Sequence, residues 1–363
     1  MKFLLFTLEY FPFKGGVANY YTNLVYYWPK SSDILVLDNN NNQLIRKKGI
    51  LRWLPGFFSF YRFVKKNKIK HVLVGHILPL GIIVFILADI LKIKYTVFLH
   101  GMDFSLALRN KWKRFLTKLI LRKAEKIVCA NSEVFKMLNK FLDQEGKCVV
   151  VNPGAKDFNF RSLEKEQELK TKYKLDNKKI LFSLGRLVKR KGFDYVILAF
   201  KELIKSGNDD LVYVISGKGP DEEYIKEIAR KNIGQIWSDK IIFTGEITEE
   251  EKWTFLSLSD IFIMPARNIS GDFEGFGIVY LEANLASKAV IAGNSGGVSD
   301  AVLDGVNGLL VNPESEEDIA RAIRKLSDNK ALREKLGQRG RQRVLRDFDW
   351  IKQVDKIYQF LTK

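Results

Sequence analysis

Short apolar runs alternate along this chain with longer stretches whose apolar positions recur every three or four residues. The runs Phe3–Leu8, Ile34–Leu37, His71–Gly75, Tyr95–Leu99, Ile127–Ala130 and Cys148–Val151 read as strands. The intervening patterns read as helices. The rhythm then restarts with Ile180–Leu184, Val212–Ser216, Ile241–Thr244, Ile261–Met264, Val290–Ala292 and Gly308–Val311. Near-continuous apolar strands separated by helices imply βαβ units and parallel sheets buried on both faces. The polar stretch Arg161–Lys179 separates the two sets and reads as a linker plus a helix. The expected fold is therefore α/β, with two doubly wound, Rossmann-like domains: 1–160, then 161–349. A terminal helix follows, with apolar positions Trp350, Ile351, Val354, Ile357, Tyr358 and Leu361, which would pack back on one of them. Ligands of open parallel sheets sit beyond the carboxyl ends of the strands, so two such domains are expected to face each other across a cleft.

Length agrees with this division, because 363 residues exceed the roughly 250–300 at which a single core stops growing. A hydrophobic share of 46%, eight prolines and the lack of a low-complexity tract fit a chain that is folded throughout. Two cysteines, Cys129 and Cys148, are too few for a disulfide framework and belong to no metal-spaced cluster, which fits a reducing cytosol. The start, MKFLLFTLEYFPFKGG, lacks the basic region and cleavage site of a secretory signal and reads as a first strand. The most apolar run, Ile77–Leu91, is shorter than the about 20 residues a spanning helix needs and contains Asp89, so it is expected to be a buried core helix.

Charge changes the picture. The net charge is +18, and residues 1–160 hold 26 Lys and Arg against ten Asp and Glu, whereas the remainder holds 34 against 32. The first half therefore expects a polyanionic partner. Its cations gather at Arg46-Lys47-Lys48 and Arg52, at Arg62, Lys65, Lys66, Lys68 and Lys70, and from Arg109 to Lys126. Trp53, Phe57, Phe58, Phe60, Tyr61, Phe63, Trp112 and Phe115 interleave with them. Such a surface suits an anionic membrane face that would present a lipid-linked acceptor. A core face of aromatics with a solvated cationic face is the plainer alternative. Nucleic-acid binding is the competing functional class.

The second half carries the chemistry. Ser183-Leu184-Gly185-Arg186 ends a strand and leads to Lys189-Arg190-Lys191-Gly192 at a helix start, where backbone N–H groups and cations suit a diphosphate. Arg186 and Lys191 are the candidates, although the segment alone also reads as a solvated basic loop. Val214–Pro220 places Gly217 in a turn that would let a nucleobase approach the backbone, or is a plain β-turn. In Phe273–Ala283, Glu274 precedes a glycine-bounded turn and Glu282 lies eight residues further on, in a helix starting near Gly277. That helix start would aim free N–H groups at a phosphate, with Glu274 placed to accept sugar hydroxyls and Glu282 to reach a ribose diol. By itself, Glu282 also reads as an exposed helix glutamate. A glutamate pair around such a turn would repel a polyanion, which argues against nucleic acid.

The string EGFGIVYLEA, Glu274-Gly275-Phe276-Gly277-Ile278-Val279-Tyr280-Leu281-Glu282-Ala283, resembles the C-terminal signature of glycosyltransferase family 4, retaining enzymes of the GT-B fold. Gly15-Gly16, Leu99-His100-Gly101, Ala130-Asn131-Ser132, Asn152-Pro153-Gly154, Gly185-Arg186 with Lys191, and Ser295-Gly296-Gly297 match in order and spacing. The resemblance implies a mannosyltransferase-like hexosyl transfer from a nucleotide-diphosphate sugar to a lipid-linked or polysaccharide acceptor in cell-envelope glycan synthesis. It further implies that Arg186 and Lys191 neutralise the diphosphate, that Glu282 holds the ribose, and that Glu274 binds the sugar with the amides of Phe276 to Ile278 nearby. Gly15 and Gly16 would face the diphosphate, and His100 would touch the sugar. No metal and no cofactor are expected, since the cations would stabilise the leaving group, and Asp347-Phe348-Asp349 is read as a coincidental DxD. A cytoplasmic protein peripheral to the membrane's inner face is implied, with a nucleotide-sugar epimerase of the same fold as the alternative. One departure stands after the signature, where Ala283–Lys288 lacks the family's usual glycine.

Overall fold

The computed structural model describes residues 2–13, 15–45, 52–143, 146–158 and 162–363. Arg46-Lys47-Lys48 and Arg161, singled out above, lie outside the described residues. The chain divides into two compact units, Met1–Gly154 with Asp349–Lys363, and Ala155–Phe348.

In the first unit, the strands are β1 (Phe3–Phe6), β2 (Ile34–Leu37), β3 (His71–Val74), β4 (Lys94–Leu99), β5 (Lys126–Cys129) and β6 (Cys148–Val150). They form one sheet of order β2-β1-β3-β4-β5-β6, parallel throughout. The helices are α1 (Gly16–Tyr26), α2 (Leu54–Asn67), α3 (Leu80–Leu91), α4 (Met102–Leu108), α5 (Lys111–Lys123) and α6 (Ser132–Phe141). Phe60 and Val64 of α2, Ile83 and Leu87 of α3, and Ile120 of α5 share one core with Val72 and Val97. The opposite face of the sheet is covered by α1 and the terminal helix Trp350–Thr362, through Tyr20, Leu24, Trp350, Val354 and Ile357. Burial on both faces explains why the strands read as unbroken apolar runs.

In the second unit, β7 (Lys179–Leu184), β8 (Leu211–Ser216), β9 (Ile241–Gly245), β10 (Ile261–Met264), β11 (Ala289–Gly293) and β12 (Gly308–Val311) form a parallel sheet of order β12-β11-β10-β7-β8-β9. Its helices are α7 (Leu163–Tyr173), α8 (Phe193–Lys205), α9 (Glu222–Ile233), α10 (Trp237–Lys240), α11 (Glu249–Leu258), α12 (Ile278–Leu285), α13 (Val298–Ala301), α14 (Glu316–Asp328) and α15 (Lys330–Asp347). The terminal helix, α16 (Trp350–Thr362), belongs to the first unit. A capping box at Thr248 and Glu251 starts α11, and Ser315 caps α14. The two-domain, doubly wound α/β fold expected from the sequence is the fold present. The strand order reverses between β1 and β3 in one unit and between β7 and β10 in the other, the points at which such sheets open for ligands.

The expectation for Ile77–Leu91 needs correction. α3 does bury Ile83, Val84 and Leu87, but Ile86 and Ile90 are 47% and 64% exposed and Asp89 is exposed as well. An apolar run longer than the stripe that the core can cover leaves its remainder on the surface. Among the described residues, no helix is long and apolar enough to cross a membrane.

Candidate functional site

In the second unit, the candidate residues gather where β7 and β10 end. After β7 the chain turns at Gly185 and re-enters a short helical turn, Lys189–Lys191, before α8. Gly192, at φ +79°, connects them, and a Cβ there would lie 2.2 Å from the Pro265 carbonyl oxygen beyond β10. Only glycine fits both the left-handed backbone and that approach. The same constraint acts at Gly217, at φ +125°, where a Cβ would lie 2.0 Å from the Gly185 carbonyl oxygen. The turns after β7 and β8 thus pack backbone to backbone, which gives Gly217 an internal reason besides approach by a ligand.

This packing sets Lys191 beneath the Gly185 turn. The side chain is almost fully buried, and its ammonium lies 2.5 Å from Oε2 of Glu274. Arg190 donates from Nη1 to the same oxygen at 2.7 Å, and its Nε lies 3.2 Å from Asp272. Burial pushes the Glu274 carboxyl up, but the Lys191 ammonium and then the Arg190 guanidinium outweigh burial and hold its pKa below the usual value. Glu274 is therefore an anion at neutral pH. Its backbone is fixed by the turn after β11: the Gly297 N–H donates to the Glu274 carbonyl at 3.0 Å, and Gly296 at φ +59° leaves no space for a Cβ. Arg186 is exposed, and its guanidinium has no ion-pair partner among the described residues.

Gly277, at φ +83°, starts α12 with no side-chain cap, so the first N–H groups of that helix are left without one. A Cβ at 277 would meet the Tyr280 ring at 2.3 Å, and Tyr280 is pinned by donating to the Met264 carbonyl at 2.7 Å. Phe276 is buried against Phe348, with ring centroids 5.6 Å apart, while Ile278 is partly buried. Glu282, more than a turn along α12, accepts at 2.5 Å from Lys252 of α11, whose ammonium also lies 2.6 Å from Glu249. Burial lowers the Lys252 pKa, but Glu282 and Glu249 raise it further, and the net shift is upward.

Sequence reasoning missed Lys252, which reads as one cation in the acidic run Glu249-Glu250-Glu251-Lys252, and it passed over Arg190, whose neighbour Lys191 took the role. It also missed the buried Arg267 and Asp194, a two-bond pair at 2.8 and 2.7 Å that ties the segment after β10 to the first turn of α8. The run Lys189-Arg190-Lys191 held the signal for Arg190. Nothing local marks Arg267.

In the first unit, Gly15 and Gly16 open α1 without a side-chain cap. Gly15 is extended, at φ 176°, where a Cβ would lie 3.3 Å from the exposed Phe13 ring, and a Cβ on Gly16 would meet nothing within 4 Å, so backbone conformation requires glycine at neither position. His100 follows β4 with its ring edge-on to Tyr20 and Tyr21, at centroid distances of 5.0 and 5.1 Å. Tyr21 donates its single hydroxyl proton to the Gly75 carbonyl at 2.7 Å, so the 2.6 Å contact with His100 Nε2 requires that nitrogen to be the donor. Burial, with His76 next, lowers the His100 pKa to about 3. The ring is therefore neutral, with the Nδ1 lone pair available as an acceptor. Asp103 accepts the His100 backbone N–H at 3.0 Å and fixes the turn. Asn131, by contrast, has a capping role, accepting the Val134 N–H at 2.8 Å.

Asp347 is within ion-pair distance of Arg346 and Arg343, and Asp349 caps the terminal helix by accepting the Lys352 N–H. The literal DxD thus has structural employment. Among the described residues, no group of three or more His, Cys, Asp or Glu side chains is assembled that could hold a metal ion.

Against known proteins, the profile of the family "Glycosyl transferases group 1" matches residues 164–343. An uncharacterized glycosyltransferase of Methanocaldococcus jannaschii is 28% identical over 265 residues, 72% of this chain and 64% of that protein. The GDP-mannose-dependent alpha-(1-6)-phosphatidylinositol monomannoside mannosyltransferase of Mycobacterium tuberculosis is 35% identical over 196 residues, 53% of this chain and 50% of that one. The chain thus spans between half and two thirds of the length of these relatives. Among solved structures, the Anabaena protein HepE, crystallised in complex with UDP, shares the fold with a TM-score of 0.84 at 17% identity, over the whole of both chains. The fold is that of GT-B glycosyltransferases, and through residues 164–343 the chain belongs to the glycosyl transferases group 1 family.

Proposed function

We propose that this chain is a retaining glycosyltransferase of family 4 that moves a hexose from a nucleotide-diphosphate sugar to a lipid-linked or polysaccharide acceptor in cell-envelope glycan synthesis. The observation that carries the reading is the part-buried Glu274 carboxylate, held ionised by Lys191 and Arg190 beside the uncapped start of α12. An anion fixed among cations and free N–H donors offers a sugar an acceptor for its hydroxyls and a diphosphate its counter-charge within one small region. Two names support the donor class: the mycobacterial relative is GDP-mannose-dependent, and HepE has been crystallised with UDP-glucose. The phosphatidylinositol-linked acceptor in the name of the former supports a lipid-linked acceptor here.

In this reading Arg186 and Lys191 stabilise the leaving diphosphate as its bond to the anomeric carbon breaks, taking the part that a metal plays elsewhere. Glu282, oriented by Lys252, accepts the ribose hydroxyls. The amides of Phe276, Gly277 and Ile278 face the donor, Gly217 lies beside the base, and Gly15 and Gly16 leave a backbone end open to phosphate. Neutral His100 accepts from a sugar hydroxyl through Nδ1. The acceptor hydroxyl attacks on the face the diphosphate leaves, and its proton passes to the departing phosphate, so that the anomeric configuration is kept without a carboxylate nucleophile. The protein would work on the cytoplasmic side, peripheral to the membrane.

A thermal-shift panel of GDP-, UDP- and ADP-sugars tests the donor site. A rise in Tm with one nucleotide class, abolished in Arg186→Ala, is expected. No shift with any of the three, or trapping of a glycosyl ester on Glu274, would overturn the reading.

A further inference from the structure

The most cationic part of the first unit also displays apolar side chains that the core does not use. α3 lies between α2 and α5: Gly56 of α2 abuts Ile83, Gly81 of α3 abuts Ile120, and Lys123 of α5 pairs with Asp89 at 2.5 Å with its ammonium 5.0 Å from the centre of the Phe85 ring. The inner faces of these helices are spent on the core. Their outer faces are not polar in the ordinary way. Phe58 and Tyr61 of α2 are 60% and 41% exposed, Ile86 and Ile90 of α3 are 47% and 64%, and Trp112 and Phe115 of α5 are 76% and 53%. Within each helix the pair is spaced three or four residues apart, so both members project from the same side.

Charge runs through the same layer. α5 carries six Lys and Arg in its 13 residues, α2 carries three in 14, and neither contains an acidic residue. The single acid of α3, Asp89, is already engaged by Lys123. Three of the eight aromatics that the sequence suggested for this surface are absent from it: Phe60 is fully buried, and Phe57 and Phe63 pack against the core. Their place is taken by aliphatics of α3 that the sequence pattern assigned to the interior.

We propose that the outer face of the α2–α3–α5 layer docks on a bilayer rich in anionic lipid, with Ile86 and Ile90 entering the acyl boundary, Phe58, Trp112 and Phe115 at headgroup depth, and the α2 and α5 cations on the phosphates. Apolar side chains framed by an excess of cations match such an interface in both of its layers. A nucleic acid would be served by the cations and would gain nothing from two exposed isoleucines. The inference deepens the proposal of a lipid-linked acceptor, on which it rests, by stating which face of the first unit meets the membrane.

The test is sedimentation of the full chain with neutral phosphatidylcholine vesicles, with vesicles that also contain phosphatidylglycerol, and with duplex RNA. The chain should partition to the anionic vesicles over the neutral ones, and less so as salt is raised. Ile86→Ser with Ile90→Ser should weaken that partition about tenfold, the loss of partial burial of two isoleucines, with Tm and nucleotide-sugar shifts unchanged. Lys111→Glu with Lys113→Glu should weaken it through charge alone. Failure to bind either vesicle, binding that ignores the isoleucine changes, or RNA binding at least as strong as vesicle binding would overturn the docking face. Those outcomes with hexosyl transfer to a soluble acceptor intact leave the transferase reading standing, whereas vesicle binding without any donor shift does the reverse.

Discussion

Replacing Lys191 with methionine isolates the electrostatics of the candidate site. The substitution keeps the length and apolar stem of a side chain that is 11% exposed, and removes only the ammonium 2.5 Å from Glu274. Breaking a buried ion pair costs about 3–5 kcal/mol when the remaining charge is stranded. Here Arg190 stays on the same carboxylate oxygen, so about 2 kcal/mol is expected, a fall in Tm of about 6 °C for a unit of this size. The sign of the pH dependence follows from the depressed pKa of Glu274. A carboxyl that is more acidic folded than unfolded contributes stability above its unfolded pKa of about 4.3 and loses it as pH falls through the folded value. In Lys191→Met burial is opposed by one cation instead of two, and that contribution shrinks. The gap between wild type and variant should therefore be full near about pH 7 and close below about pH 4. Urea unfolding at both pH values measures it. Arg186→Ala is the control, since an exposed side chain without an ion-pair partner among the described residues should change stability by no more than about 0.5 kcal/mol while donor-dependent transfer falls sharply. A gap that does not change with pH would refute the assignment of Glu274 as the charge that Lys191 neutralises.

Two further outcomes follow from the geometry. Gly277→Ala should destabilise by at least about 2 kcal/mol in thermal melts, because it combines a left-handed backbone with a Cβ 2.3 Å from the pinned Tyr280 ring, and an unchanged Tm would show that α12 starts differently. His100, with its pKa lowered to about 3, should stay neutral as the Nε2–H tautomer from about pH 5 to 8 in ring-nitrogen NMR; a titration near the ordinary value of about 6.5 would refute the burial of the ring, and the Nδ1–H tautomer would refute the Tyr21 contact.

The strands were legible because parallel strands are buried on both faces, so their apolar runs need no partner information to be recognised. His71–Val74 and Leu211–Ser216 are buried at every position and stood out for that reason. The glycines around the site were legible as turns, but not for their cause: Gly217 answers to the Gly185 carbonyl, a neighbour that exists only once β7 and β8 pair. Charge partners were the least legible. Four cations stand within six positions at Arg186, Lys189, Arg190 and Lys191, and spacing along the chain does not say that the last two converge on Glu274 while Arg186 is exposed. Lys252 reaches Glu282 across 30 residues, a contact that exists only once the chain has folded.

The same limit governs α3, and there it bears on function. An apolar stretch carries no record of which of its sides the sheet will cover, so Ile86 and Ile90 read as core alongside Ile83 and Leu87. A helix with one apolar side too many costs a globular protein solubility, and the fold has room to place polar residues at those two positions without disturbing Val84 or Leu87. That both are isoleucines, between two helices without a single acid, is hard to account for by folding alone. It is accounted for if that side of the sheet has a second apolar medium to meet.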